Sequence, residues 1–397
     1  MQPLALSRFS LVTSLGAGET ATLAALRAGH SGLQHCHFES AALPTYVGEI
    51  PALDDVELTG ERAGFDCRNN RLAAMTLGQD GFAEAVAAAR ERYGADRIGI
   101  FLGTSTSGIL QTELAYRHRD PATGRLPADF DYAKTHNSYS LVAFVRSCLH
   151  LAGPAFVISA ACATTAKVFG NAARMIAAGV CDAAIVGGAD TLCATTLYGF
   201  RSLGVVSEEP CRPFDAERRG ISIGEGAGFA LLEKPAAAQD DGAVRLLGVG
   251  ESSDAYHMSS PHPRGIGARL AMERALSAAD LKPADVDYVN LHGTATPVGD
   301  AAEDCAVSEL LGANTACSST KGYTGHTLGA SGIIEAIFSA LCIRYDFIPG
   351  SPHTRSVDPS FKTRYVRESR PARVDRVITN SFGFGGANCS VLLGRAG

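Results

Sequence analysis

A thiol and two imidazoles have the settings from which nucleophilic chemistry can be built. Cys162 stands where an apolar run meets a long helical stretch of small residues, ISAACATTAKVFGNAARM over 158–175. A strand-like segment at 156–159 follows the breaker pair Gly153-Pro154. From Ala163 onward the chain has no Pro, only Gly170, and a stop at Gly179. Cys162 is therefore expected on a sharp strand-to-helix turn. Free N–H groups and the positive dipole end of a helix favour thiolate over thiol, and with a nearby base such settings bring a thiol pKa from about 8.5 to roughly 3.5–7.5. Free cysteine is also among the most buried residue types, so its neighbours must decide between nucleophile and core filler.

His292 closes an apolar strand in VNLHGTATPVGD (289–300), just before a loop of Gly, Thr and Pro. Strand ends are where catalytic groups emerge in α/β proteins, although alone this residue reads equally as a hydrogen-bonded loop histidine. His326 lies with Lys321 in SSTKGYTGHTLGASG (318–332), a Gly-rich turn feeding a helix. The field at a helix N-terminus disfavours the imidazolium and leaves a neutral ring able to donate a hydrogen bond. Lys321 precedes glycines in an otherwise uncharged turn, so a buried ion pair is expected, with Glu303 as its partner. In NSFGFGGANC (380–389), after a strand at 377–379, glycines permit the positive φ and close backbone approach that suit an oxyanion hole. GTSTSGI (103–109) follows a buried strand at 98–102 and is either a ligand crevice or a plain strand-to-helix loop.

Alternating elements must position these groups. Helices are expected at 18–29, 81–93, 138–149, 268–279, 300–311 and 329–342, and strands at 11–15, 183–188, around 246 and at 286–291. Residues 116–137 are irregular and read as a surface excursion. The sequence of strand, turn with chemistry and small-residue helix occurs twice. This favours an α/β fold of two similarly wound mixed-sheet halves joined near residue 240, with the nucleophile in 1–240 and the histidines in 241–397.

Composition narrows the function classes. With 397 residues, 46% hydrophobic and 19% charged, the chain is an ordinary globular one. A net charge of -6 argues against a general nucleic-acid binder, while local basic patches remain available to an acidic partner. Eleven cysteines form no C-x-x-C pair, and no basic leader with an apolar run opens the chain, so a reduced, cytoplasmic protein is expected. No stretch reaches the roughly 18 uninterrupted apolar residues of a membrane span. His35-Cys36-His37 lacks a second ligand cluster nearby in sequence, and no metal site is expected.

In one order along the chain, SAACATTA, RPFDAERRGISIGEGAG, SSDAYHMSSP, LHGTATPVGD, SSTKGYTGHTLGASG and NSFGFGGAN resemble the β-ketoacyl-[acyl carrier protein] synthases of types I and II. These are decarboxylating condensing enzymes with the thiolase fold. The likeness covers most of the chain from about residue 95, and the earlier part more loosely. It implies a thiolase-like fold with buried central helices. It implies Cys162 as the acylated nucleophile, His292 and His326 as the paired histidines, and Lys321 with Glu303 as the supporting ion pair. Phe384 becomes the gating aromatic whose N–H joins that of Cys162 in the oxyanion hole. Thr294 and Thr296 resemble the threonines that hydrogen-bond the pantetheine arm, and Gly108 and Ile109 fall where the family lines its acyl pocket.

The implied reaction is decarboxylative Claisen condensation of an acyl group on Cys162 with malonyl-[acyl carrier protein], in fatty acid, polyketide or aryl polyene elongation. No cofactor is implied beyond the phosphopantetheine of the acyl carrier protein. The implied partners are that carrier protein and a second subunit, as a homodimer or as a heterodimer with a related ketosynthase-like chain. Arg68 and Arg71 partly resemble the family's carrier-docking patch. Lys167, one turn beyond Cys162, stands where the family carries assorted residues, and its role is open. The turn TSLGAGET is shorter than the family's usual opening. Two other readings compete. A non-catalytic chain-length subunit typically lacks the cysteine, and a thiolase wants a second catalytic cysteine in the last Gly-rich turn, where Cys389 falls only after GGAN.

Overall fold

The structure, a computed structural model, describes residues 1–235 and 244–396, so the expected join near residue 240 lies outside the described residues. Ten strands carry the architecture: β1 (Leu4–Thr13), β2 (Ile98–Gly103), β3 (Ala155–Ile158), β4 (Ala183–Asp190), β5 (Gly226–Glu233), β6 (Val244–Ser253), β7 (Tyr288–Asn290), β8 (Ala316–Ser318), β9 (Arg376–Gly383) and β10 (Ala387–Arg395). The first five lie in the order β3-β2-β4-β5-β1 and the second five in the order β8-β7-β9-β10-β6. The two orders are identical once five is subtracted from each label of the second. In each half the first three strands of that order are parallel and the last two antiparallel.

The halves do not keep separate sheets. Antiparallel pairing of Leu4 with Leu246 and Ala5 with Arg245 joins β1 to β6, and two short strands complete a 12-stranded sheet. The expected strand at 11–15 belongs to the longer β1, whose register shifts between Leu6 and Arg8. That irregularity exposes Ser7 and Arg8 together and hides the period-2 pattern.

Two helices follow the third strand of their halves, α1 (Thr164–Ala177) and α3 (Ser331–Tyr345), and α2 (Pro297–Leu311) follows β7. Every residue of α3 from Ser331 to Ile343 is buried, as expected of a helix apolar on all sides. The stretch Leu328–Tyr345 has the length and hydropathy of a membrane span but is 89% buried inside the protein. α1 and α3 share one core that includes Phe169, Ile333 and Phe338, each such side chain contributing roughly 1.5–3 kcal/mol on burial. Their approach depends on Gly332, where a Cβ would stand 2.4 Å from the Ala166 nitrogen. The repeated winding thus sends the turns after β3, β7, β8 and β9 to one site.

Candidate active site

Cys162 occupies the tight turn between β3 and α1. Ala161 takes a positive φ of 49°, and Thr164 clamps the turn by donating its hydroxyl to Ala161 O at 2.6 Å while accepting the Ala160 N–H at 2.8 Å. Short side chains at 160, 161 and 163 let the thiol face the cavity rather than the core. His326 Nε2 lies 3.1 Å from Cys162 Sγ, and its Nδ1 is 2.9 Å from Ser331 Oγ, which orients the ring. The His292 ring stands edge-on to that of His326, with centroids 5.4 Å apart and planes at 84°.

Glu303, on α2, holds the His292 turn rather than a lysine. It accepts the N–H groups of His292 and Gly293 at 2.8 and 2.7 Å and the Asn380 amide at 3.1 Å. The expected Lys321–Glu303 pair is therefore replaced: Lys321 Nζ donates to Glu335 Oε1 at 2.5 Å, with both side chains buried. Glu335 lies in the first turns of α3, where its carboxylate reaches back towards the turn that carries Lys321. Its signal in the sequence was a lone charge inside GIIEAIFSALC.

Electrostatics also depart from expectation. Burial pushes the Cys162 thiol up to about 11, while the Lys321 cation and the Phe384 N–H pull it down, the buried Asp190 carboxylate adds to the rise, and the residue's own N–H opposes it. Desolvation outweighs the helix-end field, so the resting group is a thiol and not the expected depressed thiolate. Burial first and Lys321 second hold both imidazoles well below the usual histidine range, and His326 lowers His292 further. The site is therefore a neutral thiol beside two neutral imidazoles. The N–H groups of Phe384 and Cys162 both act on Sγ, the arrangement of an oxyanion hole.

These groups line a cavity of about 230 Å³ together with Thr294, Thr296, Phe382 and Phe384. The two threonine hydroxyls are 2.9 Å apart. The Phe384 ring is part exposed and lies 5.9 Å from that of Phe200. Gly108 and Ile109 are not brought to these walls. The Gly108 N–H is bound to Thr135 O, and Ile109 packs on the cluster of Leu110, Leu192 and Leu328.

Arg68 is buried, with two bonds to Glu225 and one to Asp54, and Arg71 is paired with Asp66. Arg68 is thereby closed to a carrier protein and Arg71 is already committed. Lys167 binds Glu251 at 2.8 Å, a carboxylate it shares with Arg174. Cys36 is buried and His35 bonds Tyr46. Among the described residues the one group with metal-ligand spacing is Cys162, His292 and His326, whose ligand atoms lie within 4.8 Å of one another.

Two identically wound halves that aim a thiol, two neutral imidazoles and paired N–H donors into one cavity define a condensing enzyme of the thiolase-like fold. The family descriptions agree: beta-ketoacyl synthase, N-terminal domain, matches residues 6–238, and beta-ketoacyl synthase, C-terminal domain, matches residues 244–355. The chain belongs to the beta-ketoacyl synthase family, as a ketosynthase that retains its Cys-His-His centre.

Relatives extend the comparison. The chain is 37% identical to 3-oxoacyl-[acyl-carrier-protein] synthase 2 of Rhizobium meliloti, over 75% of this chain and 74% of that one. It is 41% identical to the mitochondrial 3-oxoacyl-[acyl-carrier-protein] synthase of Arabidopsis thaliana, over 60% of this chain and 56% of that one. Among solved structures it resembles a chain of the ketosynthase ApeO in complex with its chain length factor ApeC from Xenorhabdus doucetiae, at TM-score 0.88 and 34% identity, covering 100% of this chain and 98% of that one.

Proposed function

We propose that the chain condenses an acyl group held on Cys162 with malonyl-[acyl carrier protein], releasing CO2 and β-ketoacyl-[acyl carrier protein]. The observation that carries this is the 3.1 Å approach of His326 Nε2 to Cys162 Sγ inside a cavity that also holds His292. Because the thiol rests protonated, His326 takes its proton as Sγ attacks the acyl thioester, and returns it to the departing pantetheine thiolate. Acyl transfer exchanges one thioester for another. The malonyl carboxylate then leaves as CO2, and its electron pair becomes an enolate whose oxygen is held by the neutral His292 and His326 rings. The enolate carbon attacks the acyl carbonyl, the Cys162 and Phe384 N–H groups hold the oxyanion, and its collapse expels the Cys162 thiolate, which takes up from water the one proton the overall reaction consumes. Removing one oxyanion donor costs about 3–4 kcal/mol.

The site roles proposed for Cys162, His292, His326, Phe384, Thr294 and Thr296 follow from this scheme, with Lys321 paired to Glu335. The reading as two halves, 1–240 and 241–397, is supported by the repeated strand order. The proposed partners are an acyl carrier protein and a second ketosynthase-like subunit, identical or related. A free sheet edge supports the latter: β3 is paired only on its β2 side among the described residues, and Phe156 on it is 47% exposed. Eleven free cysteines suit a reducing compartment such as the cytoplasm. Intact Cys162, His292 and His326 speak against a non-catalytic chain-length subunit.

The experiment is peptide mass spectrometry after incubation with acyl carrier protein thioesters, with and without malonyl carrier protein. An adduct on the Cys162 peptide that is discharged as β-ketoacyl product only when malonyl is supplied is the expected result. Absence of any adduct, with a partner subunit also supplied, overturns it.

A further inference from the structure

Asp190, the last residue of β4, is fully buried and takes no part in the scheme above. Its Oδ1 accepts four bonds from the turn that follows β2: Thr104 Oγ1 at 2.8 Å, Ser105 N at 2.7 Å, Thr106 N at 2.8 Å and Thr106 Oγ1 at 2.9 Å. Its Oδ2 accepts the Ala330 N–H at 3.1 Å, in the turn that begins at His326. Both turns contain a non-glycine residue at positive φ, Ser107 at 43° and Leu328 at 52°, conformations that persist only where the surroundings hold them. The turns meet at Gly329, where a Cβ would lie 2.4 Å from Ser105 Oγ and 2.8 Å from Asp190 Oδ2. The nucleophile helix is tied to the same point, since Thr165 donates its hydroxyl to Gly329 O at 2.6 Å and accepts the Ile333 N–H at 3.0 Å.

We propose that Asp190 is a positioning residue for acyl transfer, one buried carboxylate that locks the 104–108 turn against the His326 turn and so sets the His326 imidazole on Cys162. The two oxygens divide the work: Oδ1 holds one turn and Oδ2 the other. Asp190→Asn separates them. An asparagine that keeps its oxygen towards the four donors places its NH2 against the Ala330 N–H, donor facing donor, and releases the His326 turn.

The test follows acylation of Cys162 by acyl carrier protein thioesters in wild-type protein, Asp190→Asn and Thr106→Val. Asp190→Asn should lower kcat for acylation roughly tenfold or more at little-changed KM, the signature of a misplaced group rather than of weakened binding. A second readout needs no substrate: the pH profile of Cys162 alkylation by iodoacetamide. The groups facing this thiol are Lys321, Asp190, His326, His292 and the Phe384 and Cys162 N–H groups. Removing the one carboxyl group among them should move the profile to lower pH, whereas Thr106→Val, which keeps that carboxyl group, should leave it in place. Folded Asp190→Asn with wild-type kcat and an unmoved profile overturns the proposal. Should Asp190→Asn fail to fold, Thr104→Val/Thr106→Val decides: it strips two donors from Oδ1, and wild-type kcat in it overturns the proposal equally. The acylation readout rests on the ketosynthase reading; wild-type protein that never acylates defeats that reading, while the alkylation profile still tests Asp190.

Discussion

Lys321 and Glu335 form a closed ion pair beneath the two histidines, Nζ to Oε1 at 2.5 Å, with both side chains nearly inaccessible to solvent. The pair sets the field of the site, because the Lys321 charge lowers both imidazoles and the Cys162 thiol. Lys321→Ala leaves the Glu335 carboxyl buried without its cation, and breaking a buried pair in this way costs about 3–5 kcal/mol. Chemical denaturation of the variant against wild-type protein measures this. A loss below roughly 1 kcal/mol, the range of exposed pairs, would show that the pair is not closed.

The same relationship fixes a pH dependence. The imidazoles work in their neutral forms, and both titrate well below 6.5. Protonation of the imidazoles therefore sets in below 6.5, and the acid limb that they impose on kcat/KM should lie there. Lys321→Ala removes a charge that opposes protonation, so in any variant that stays folded the limb moves to higher pH. Steady-state condensation between pH 5 and 8 reads both, and an unmoved limb rules out Lys321 as the source of the field.

Alkylation supplies a separate check on the thiol. Burial raises Cys162 to about 11, so its reaction with iodoacetamide should still be climbing beyond pH 9. A plateau near neutrality would instead mark a thiolate at rest, as the turn-to-helix position alone suggested.

Local pattern carried far in this chain, and its failures share a cause. Cys162 and His292 were legible because each sits where a strand ends in a turn of small residues, and His326 because it sits in a Gly-rich turn feeding a helix; the repeated winding brings those turns together. Glu335 was not, because its partner lies fourteen residues back along the chain, across a turn whose path no periodicity specifies. The thiol's protonation state was misjudged because the helix-end field is a local property, whereas desolvation depends on everything packed around Sγ. Arg68 partly resembled a carrier-docking residue, but Glu225, 157 residues away, closes on it. Asp190 ends an unbroken apolar run, and its five donors come from two other turns, so nothing within AAIVGGAD reveals them.

Thr294 and Thr296 offer hydroxyls to the cavity within 2.9 Å of each other. If they hold the pantetheine arm, Thr294→Ala/Thr296→Ala loses two hydrogen bonds at about 0.5–1.5 kcal/mol each. KM for carrier protein substrates should rise roughly 5- to 150-fold while kcat changes little. A fall in kcat at constant KM would place the two residues in the chemistry instead of in binding.

Phe156 decides the quaternary prediction. Its ring stacks on Phe101 at 5.8 Å yet stays 47% exposed on β3, at the open edge of a sheet otherwise covered by helices. An edge that presents both an aromatic ring and unpaired backbone groups invites pairing with another copy or a sister chain. Phe156→Asp puts a charge on that seam without touching the cavity, since Phe156 is not among its walls. Sedimentation should then show the monomer at concentrations where wild-type protein forms the proposed dimer, with itself or with a related subunit. A charged variant that remains dimeric would mean that the subunits meet elsewhere and that this edge is left to solvent.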